Sequence, residues 1–395
     1  MNWSIKLFRF KGIDVKVHLT FVLILIWAAY RWSGSTGQGW QGALFGIVAT
    51  LLLFTSVILH EFGHSLQALK FGIPVRDITL LPIGGVAQIE QMPEKPAQEL
   101  RIALAGPLVS FAISLFLIAL GLLLQARAVV TLPELVASVG SASWAGMLSY
   151  LTMANLLLGL FNLIPAYPMD GGRVLRALLA LKLDYSRATS IAVSIGQGLA
   201  LLAGLYGFMS GSYSLILIAI FVWMGAGQEG KQVETKGVLR QITVGQAMTR
   251  QPATISTTDT LARAVELTLT TSQADYPVLD SFAGGLAGLL TAQDLLRGLH
   301  RTGETGSVAQ TMHTTFATTT ANEPLFQAQQ RMKTNRLRAL PVVDDEGRLA
   351  GLLTAEDVNE AYRLLSASPE LTRPEAPRKR AGDLNRDERQ PVAVG

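Results

Sequence analysis

Two imidazoles and a carboxylate fall within five positions, His60, Glu61 and His64, in the run "LLLFTSVILHEFGHSLQALKFG". On a helix, residues i and i+4 lie one above the other on a single face, so His60 and His64 can offer two ring nitrogens to one metal ion. Glu61 stands beside the first of them, where it can take a proton from an attacking water and return it to a leaving nitrogen. This H-E-x-x-H spacing is that of zinc hydrolases. The competing account is a polar face turned to solvent. It is weak here, because the preceding run offers no solvent face and unpaired ionisable groups at membrane depth are expensive. Coordination removes most of that cost.

A catalytic zinc has three protein ligands and one open position. Within residues 1–230 the other histidine is His18, which reads better as an interfacial residue at the start of the first apolar run. Asp170, in "NLLLGLFNLIPAYPMDGGRVL", is the candidate third ligand. Pro165 and Pro168 break the helix ahead of it, and Gly171–Gly172 let the backbone turn sharply after it. An ordinary loop aspartate is the alternative. Asn155 and Asn162 lie on the apolar approach to Asp170; either could hydrogen-bond a tetrahedral oxyanion or hold the substrate backbone, with helix–helix hydrogen bonding equally open.

The elements that must position these groups are apolar. The 395 residues are 49% hydrophobic and 16% charged, against about 25% charge in soluble domains, and the mean hydropathy is +0.35. Cysteine is absent, which excludes disulfides, thiolate zinc sites and cysteine nucleophiles. The pI of about 9.3 does not indicate nucleic acid: the excess of basic residues lies within the apolar residues 1–230, and no basic stripe with interleaved aromatics appears.

Apolar runs long enough to span a bilayer occur near 17–32, 43–66, 102–124, 144–166, 188–209 and 212–226. The last two, parted by little more than "SGS", read as a helical hairpin. The opening "MNWSIKLFRFKGIDVK" is amphipathic and basic, with no cleavage site of a signal peptide. Lys and Arg alternate between connections: four before the first run, one in the first connection, four between the second and third, Arg127 alone before the fourth, four after it and none after the fifth. The positive-inside rule then puts both termini in the cytoplasm of a multi-pass cell-membrane protein. Residues 75–91, "VRDITLLPIGGVAQIEQ", alternate like strands around Pro82, Gly84 and Gly85, so the segment is a hairpin or a re-entrant loop. A substrate helix must unwind to be cut, and an extended substrate could add to a strand here by β-augmentation, with Gly84 and Gly85 at the contact.

Beyond residue 238 the sequence is soluble in character and repeats itself. "VGQAMT" at 244 returns as "VAQTMH" at 308, "YPVLD" at 276 as "LPVVD" at 340, and "GLLTAQDL" at 288 as "GLLTAEDV" at 351. Three matched offsets indicate a duplicated β-α-β-β-α unit. Residues 366–395, rich in Pro, Arg, Asp and Glu, read as a disordered tail.

With these residues in hand, the chain resembles the site-2 protease family of intramembrane zinc metalloproteases. The matching pieces are "HEFGH" at 60–64, "LPIGGVA" at 81–87, "AGPLVS" at 105–110 and "FNLIPAYPMDGGRVL" at 161–175. The resemblance implies that His60, His64 and Asp170 bind one Zn2+, that Glu61 is the catalytic base, and that membrane-spanning proteins are cleaved in regulated intramembrane proteolysis. Met169 replaces the leucine usual before Asp-Gly-Gly, a swap that keeps apolar volume. The duplicated part resembles a tandem pair of cystathionine-β-synthase-type (CBS) domains. That likeness implies an adenine nucleotide at Thr291 with Asp294 and at Thr354 with Asp357, for which N-capping by threonine is the alternative.

The expected architecture is a polytopic α-helical membrane domain at 1–230, with about six transmembrane helices and a short β-like re-entrant segment. An α/β CBS pair follows at 238–300 and 301–364, regulates the protease and could support a homodimer. The other class considered is a CBS-regulated transporter or a non-proteolytic metal-binding membrane protein, which would not need Glu61 beside His60.

Overall fold

The computed structural model describes residues 3–82, 84–89, 93–126, 141–282 and 284–367, and the chain divides into two compact units, 1–233 and 234–395. The first unit opens with strands β1 (Ser4–Phe10) and β2 (Ile13–His18). They form a hairpin whose two loop residues, Lys11 and Gly12, both have positive φ, as primed hairpin turns require. The opening, expected only to be amphipathic and basic, is therefore extended, with Ile13, Val15 and Val17 alternating along β2.

Helix α1 (Phe21–Thr36) follows, then α2 (Trp40–Lys70), strands β3 (Val75–Leu81) and β4 (Gly84–Ile89), and α3 (Pro96–Ala126). Helices α4 (Trp144–Asn162), α5 (Asp170–Leu179), α6 (Tyr185–Met209) and α7 (Tyr213–Leu239) complete the unit and lead into the second one.

Among the described residues, five helices are long and apolar enough to cross a membrane: α2, α3, α4, α6 and α7. Helices α2 and α3 have 31 residues each, about 46 Å at the usual rise, more than the ~30 Å of a hydrocarbon core. The expected first span at 17–32 is revised. Residues 17 and 18 belong to β2, and α1 has 16 residues, about 24 Å. His18 ends the strand: its Nδ1 accepts the Thr20 backbone N–H at 3.3 Å and lies 2.8 Å from the Thr20 hydroxyl. The count of six spans therefore depends on a helix shorter than the other five. The α6–α7 hairpin is as expected, with Gly211 at φ +68° in its turn.

The segment after α2 is an antiparallel hairpin. Its strand β3 also pairs in parallel with β2, giving a four-stranded sheet in the order β1-β2-β3-β4. Ile13, Val15 and Ile78, all at 0% exposure, pack with Phe62 and Ala68 of α2 and Ile102 of α3. The sheet is thus bolted to the two helices that build the candidate site, and β4 is an edge strand. Outward-facing Leu201, Leu202, Leu205 and Phe208 on α6 are exposed, as lipid-facing side chains must be.

In the second unit each half contains the same elements. The first holds α8 (Val244–Ala247), β5 (Ile255–Ser256), α9 (Leu261–Thr270), β6 (Tyr276–Leu279), β7 (Leu286–Leu290) and α10 (Ala292–Thr302). The second holds α11 (Val308–Thr311), β8 (Thr319–Thr320), α12 (Leu325–Asn335), β9 (Ala339–Val343), β10 (Leu349–Thr354) and α13 (Ala355–Ala367). Each half makes a three-stranded sheet. The exchange between halves is reciprocal: Leu289 bridges His313 and Leu352 bridges Thr249. Gly288 faces Met312 just as Gly351 faces Met248. Of the tail expected at 366–395, residues 366 and 367 close α13, and those from 368 on lie outside the described residues, as does Arg127.

Candidate metal centre

His60 and His64 lie near the end of α2, one turn apart and both buried. Their Nε2 atoms are 3.2 Å apart. Asp170 Oδ2 lies 3.3 Å from His60 Nε2 and 3.0 Å from His64 Nε2. Ligands about 2.0–2.1 Å from a tetrahedral zinc stand about 3.3 Å from one another, so this triangle matches one face of such a tetrahedron. The far ring nitrogens are also engaged. His64 Nδ1 is 2.7 Å from the Ile102 carbonyl, and His60 Nδ1 is 2.9 Å from Ser110 Oγ. A carbonyl only accepts, so the neutral His64 ring carries its proton on Nδ1 and turns the Nε2 lone pair toward Asp170. This is the outer support typical of metal-bound histidine. Two buried imidazoles and a carboxylate aimed at one point fit a divalent metal ion better than any other ligand.

Asp170 reaches this point by a route the sequence half disclosed. It lies eight residues beyond α4 and is the first residue of α5 rather than the end of a span. Pro165 and Pro168 do fall in the break. Gly171 and Gly172 act differently from expectation: both are helical, and neither has positive φ. What matters is close approach. A Cβ on Gly171 would lie 2.2 Å from the Ile164 carbonyl oxygen, and one on Gly172 2.7 Å from the Tyr167 nitrogen. Only bare backbone lets the 163–167 bend fold onto the start of α5.

Glu61 lies between the two histidines in sequence and against β4 in space. A Cβ on Gly85 would fall 2.9 Å from Glu61 Cγ and 3.0 Å from Val57 Cγ1, whereas one on Gly84 would meet nothing. Gly84 serves conformation, with φ +138°; Gly85 serves contact with Glu61.

Asn155 is fully buried. Its Nδ2 donates to Ser56 Oγ at 3.2 Å, across to α2, and to the Leu151 carbonyl at 2.8 Å. Both N–H bonds are thus spent on helix packing, and Oδ1 is left without a partner. Asn162 Nδ2 donates to the Leu158 carbonyl at 3.0 Å. Among the described contacts, neither bonds to the histidines, Glu61 or Asp170.

The span at 102–124 was expected, but not the part that α3 plays at the site. Gly106 lies directly over the triangle: a Cβ there would come within 2.1 Å of His64 Nε2 and 2.7 Å of His60 Nε2. Ser110 and the Ile102 carbonyl orient the rings. The available signal was "AGPLVS", a cluster of small residues and a buried hydroxyl within a bilayer-length apolar run.

In the second unit, Thr291 Oγ1 accepts the Asp294 backbone N–H at 3.2 Å and its hydroxyl donates to Asp294 Oδ2. Asp294 also pairs with Arg297 at 3.3 Å and His313 at 3.0 Å. Its counterpart is more open. Thr354 N donates to Asp357 Oδ2 at 2.8 Å and Asp357 N to Thr354 Oγ1 at 3.1 Å, a reciprocal capping arrangement. The N-capping account is therefore satisfied at both places.

A bundle of bilayer-length helices, two imidazoles and a carboxylate converging on one point, and a glutamate beside the first imidazole define the class of multi-pass membrane metallopeptidases. Comparison with known proteins narrows the class. The model of peptidase family M50 matches residues 48–203, and the CBS-domain model matches 244–301 and 307–364. A zinc metalloprotease of Methanocaldococcus jannaschii is 34% identical over 371 residues, 94% of this chain and 99% of that protein. Stage IV sporulation protein FB of Bacillus subtilis is 29% identical over 165 residues, 41% of this chain and 51% of that one. Among solved structures, a site-2 protease from M. jannaschii is 42% identical and covers 58% of this chain and 95% of its own, with a TM-score of 0.42. The chain belongs to peptidase family M50, the site-2 proteases, and carries a tandem CBS pair.

Proposed function

We propose that this zinc metalloprotease is an endopeptidase that cuts transmembrane or membrane-proximal peptide bonds, with His60, His64 and Asp170 as ligands of one zinc ion and Glu61 as general base. The observation that carries this reading is the buried triangle of ligand atoms with 3.0–3.3 Å sides. A zinc ion supplies Lewis-acid activation of water and polarisation of the scissile carbonyl. Glu61 takes the proton of the attacking water and delivers it to the leaving nitrogen. Its side chain lies close against the Gly85 backbone, where an added Cβ would fall 2.9 Å from Glu61 Cγ, which limits how the carboxylate can be placed. The test is comparative proteomics of membrane fractions containing wild-type or E61Q protein. A single-span protein whose fragment appears only with wild type supports the reading; identical fragment sets refute it.

The substrate strand is proposed to add to the free edge of β4, beside Glu61. Proline at the β4 positions whose N–H points away from β3 should reduce cleavage about tenfold, the effect of one or two lost hydrogen bonds, while metal content stays constant. Cleavage that survives every such substitution would exclude β4 as the docking strand.

Positive-inside counting supports cytoplasmic termini, and hence a cytoplasmic CBS pair, spanning 238–300 and 301–364, that gates the protease and supports a homodimer. Thr354 with Asp357 is the more available nucleotide corner, since Asp294 is already held by Thr291, Arg297 and His313. Calorimetric titration of the full-length protein with AMP or ATP should show binding that D357A weakens about tenfold, as expected for losing a charged acceptor. Equal binding by D357A would remove this corner from the site.

A further inference from the structure

The helix that brings Asp170 to the histidines is ten residues long, too short to hold its place unaided. Among its buried residues, the large one is Arg176, at 0% exposure. Its Nε and Nη2 donate to Glu99 Oε1 at 2.8 and 2.5 Å, and Nη1 donates to Glu229 Oε1 at 2.7 Å. The guanidinium also stacks on Tyr185 and Tyr167, 4.8 and 5.3 Å from their ring centres. A withdrawn guanidinium is tolerated only when it is paired this thoroughly. The planar fork of arginine suits a site where two acceptors lie in different directions.

The partners are informative. Glu99 belongs to α3 and Glu229 to α7. One turn beyond Glu99, the Ile102 carbonyl engages His64 Nδ1, and further along α3 Ser110 engages His60 Nδ1. Helix α3 therefore holds the histidine pair directly and the Asp170 helix through Glu99. Asp170 and Arg176 are six residues apart, about 120° around the helix axis, so a bond at Arg176 fixes the rotation of α5 and with it the direction of the Asp170 carboxylate.

We propose that Arg176, clamped between Glu99 and Glu229, is a positioning residue for the metal centre that sets the rotation of α5 so that Asp170 meets His60 and His64. The proposal rests on those three residues being the metal ligands. The clamp touches none of the ligand side chains, so its effect on the metal is read from the Co2+ spectrum and the zinc affinity of folded protein.

The test uses full-length protein in detergent, titrated with Zn2+ against a competing chelator and loaded with Co2+ for its visible spectrum. R176K keeps the charge but cannot fork to two carboxylates; E99Q keeps the volume but loses the charge. Each is expected to raise the metal dissociation constant about tenfold, as loss of an outer supporting partner does, and to change the Co2+ ligand-field bands. The metal-free variants should still fold and elute as wild type does, with a lower unfolding temperature because a buried pair is weakened, so the changed Co2+ bands and weaker metal binding are read on protein shown to be folded at the assay temperature. If R176K does not fold, E229Q decides, with an expected weakening of about threefold for a partly exposed arm. Wild-type affinity and an unchanged Co2+ spectrum in the folded variants overturn the clamp. A wild-type protein that takes up neither metal overturns the ligand assignment itself, a distinct result.

Discussion

E61Q protein is expected to retain its metal and to lose peptide cleavage by about 10³-fold or more, the scale of a positioned general acid–base. Glutamine has the shape of glutamate, so it fits against the Gly85 backbone, where a single added Cβ would already lie 2.9 Å from Glu61 Cγ. It accepts no proton at working pH, so the attacking water keeps its own and the leaving nitrogen receives none. None of the three ligand atoms is touched, and zinc stoichiometry should equal wild type. The measurement pairs metal analysis with cleavage of a single-span substrate in proteoliposomes. Cleavage within tenfold of wild type would remove Glu61 as the base. Metal retained with no cleavage by wild type of any membrane protein would instead favour a binding or transport role.

The second large effect is expected from G106A. Alanine is the better helix former by about 1 kcal/mol, so on backbone grounds α3 should gain. The added methyl, however, would sit 2.1 Å from His64 Nε2, 2.5 Å from His64 Cε1 and 2.7 Å from His60 Nε2, all closer than any real contact. Neither ring can swing away freely, because the Ile102 carbonyl and Ser110 hold their far nitrogens. One of these bonds must break or the rings must leave the triangle. The protein should fold with its helix content intact, bind zinc about 100-fold more weakly, the upper end for disturbing a metal's outer support, and lose cleavage in proportion. A G106A protein with wild-type zinc affinity would show that α3 does not bring a Cβ within 2.1–2.7 Å of the histidine Nε2 atoms.

Much of the site was legible because its signals are local. His60 and His64 announce themselves by an i, i+4 spacing in a run with no solvent face, and Asp170 by being an acid in an apolar stretch broken by two prolines. The repeat at offsets of 64, 64 and 63 residues discloses the second unit by itself. The N-terminal hairpin was not expected from an opening that reads as amphipathic and basic; its local signal is the alternation of Ile13, Val15 and Val17, set among Lys6, Arg9, Lys11 and Lys16. The first span was misjudged for a related reason. Strand β2 is apolar on alternate positions and runs directly into α1, so a window averaging over residues 17–32 cannot see the boundary at Thr20.

What the sequence determined by itself is therefore the chemistry available and its class: two imidazoles at one helical turn, a carboxylate beside them, bilayer-length helices and a duplicated α/β module. Periodicity and composition suffice for these, since each depends on neighbours a few residues apart or on an average. Tertiary structure alone decided that α3 roofs the centre with Gly106, that Ile102 and Ser110 orient the rings, that Gly85 abuts Glu61, and that Gly171 and Gly172 serve contact rather than turning. These are encounters between residues tens of positions apart, across separate helices and a sheet edge. They are governed by sub-ångström clearances, and no local pattern encodes how closely two backbones will approach.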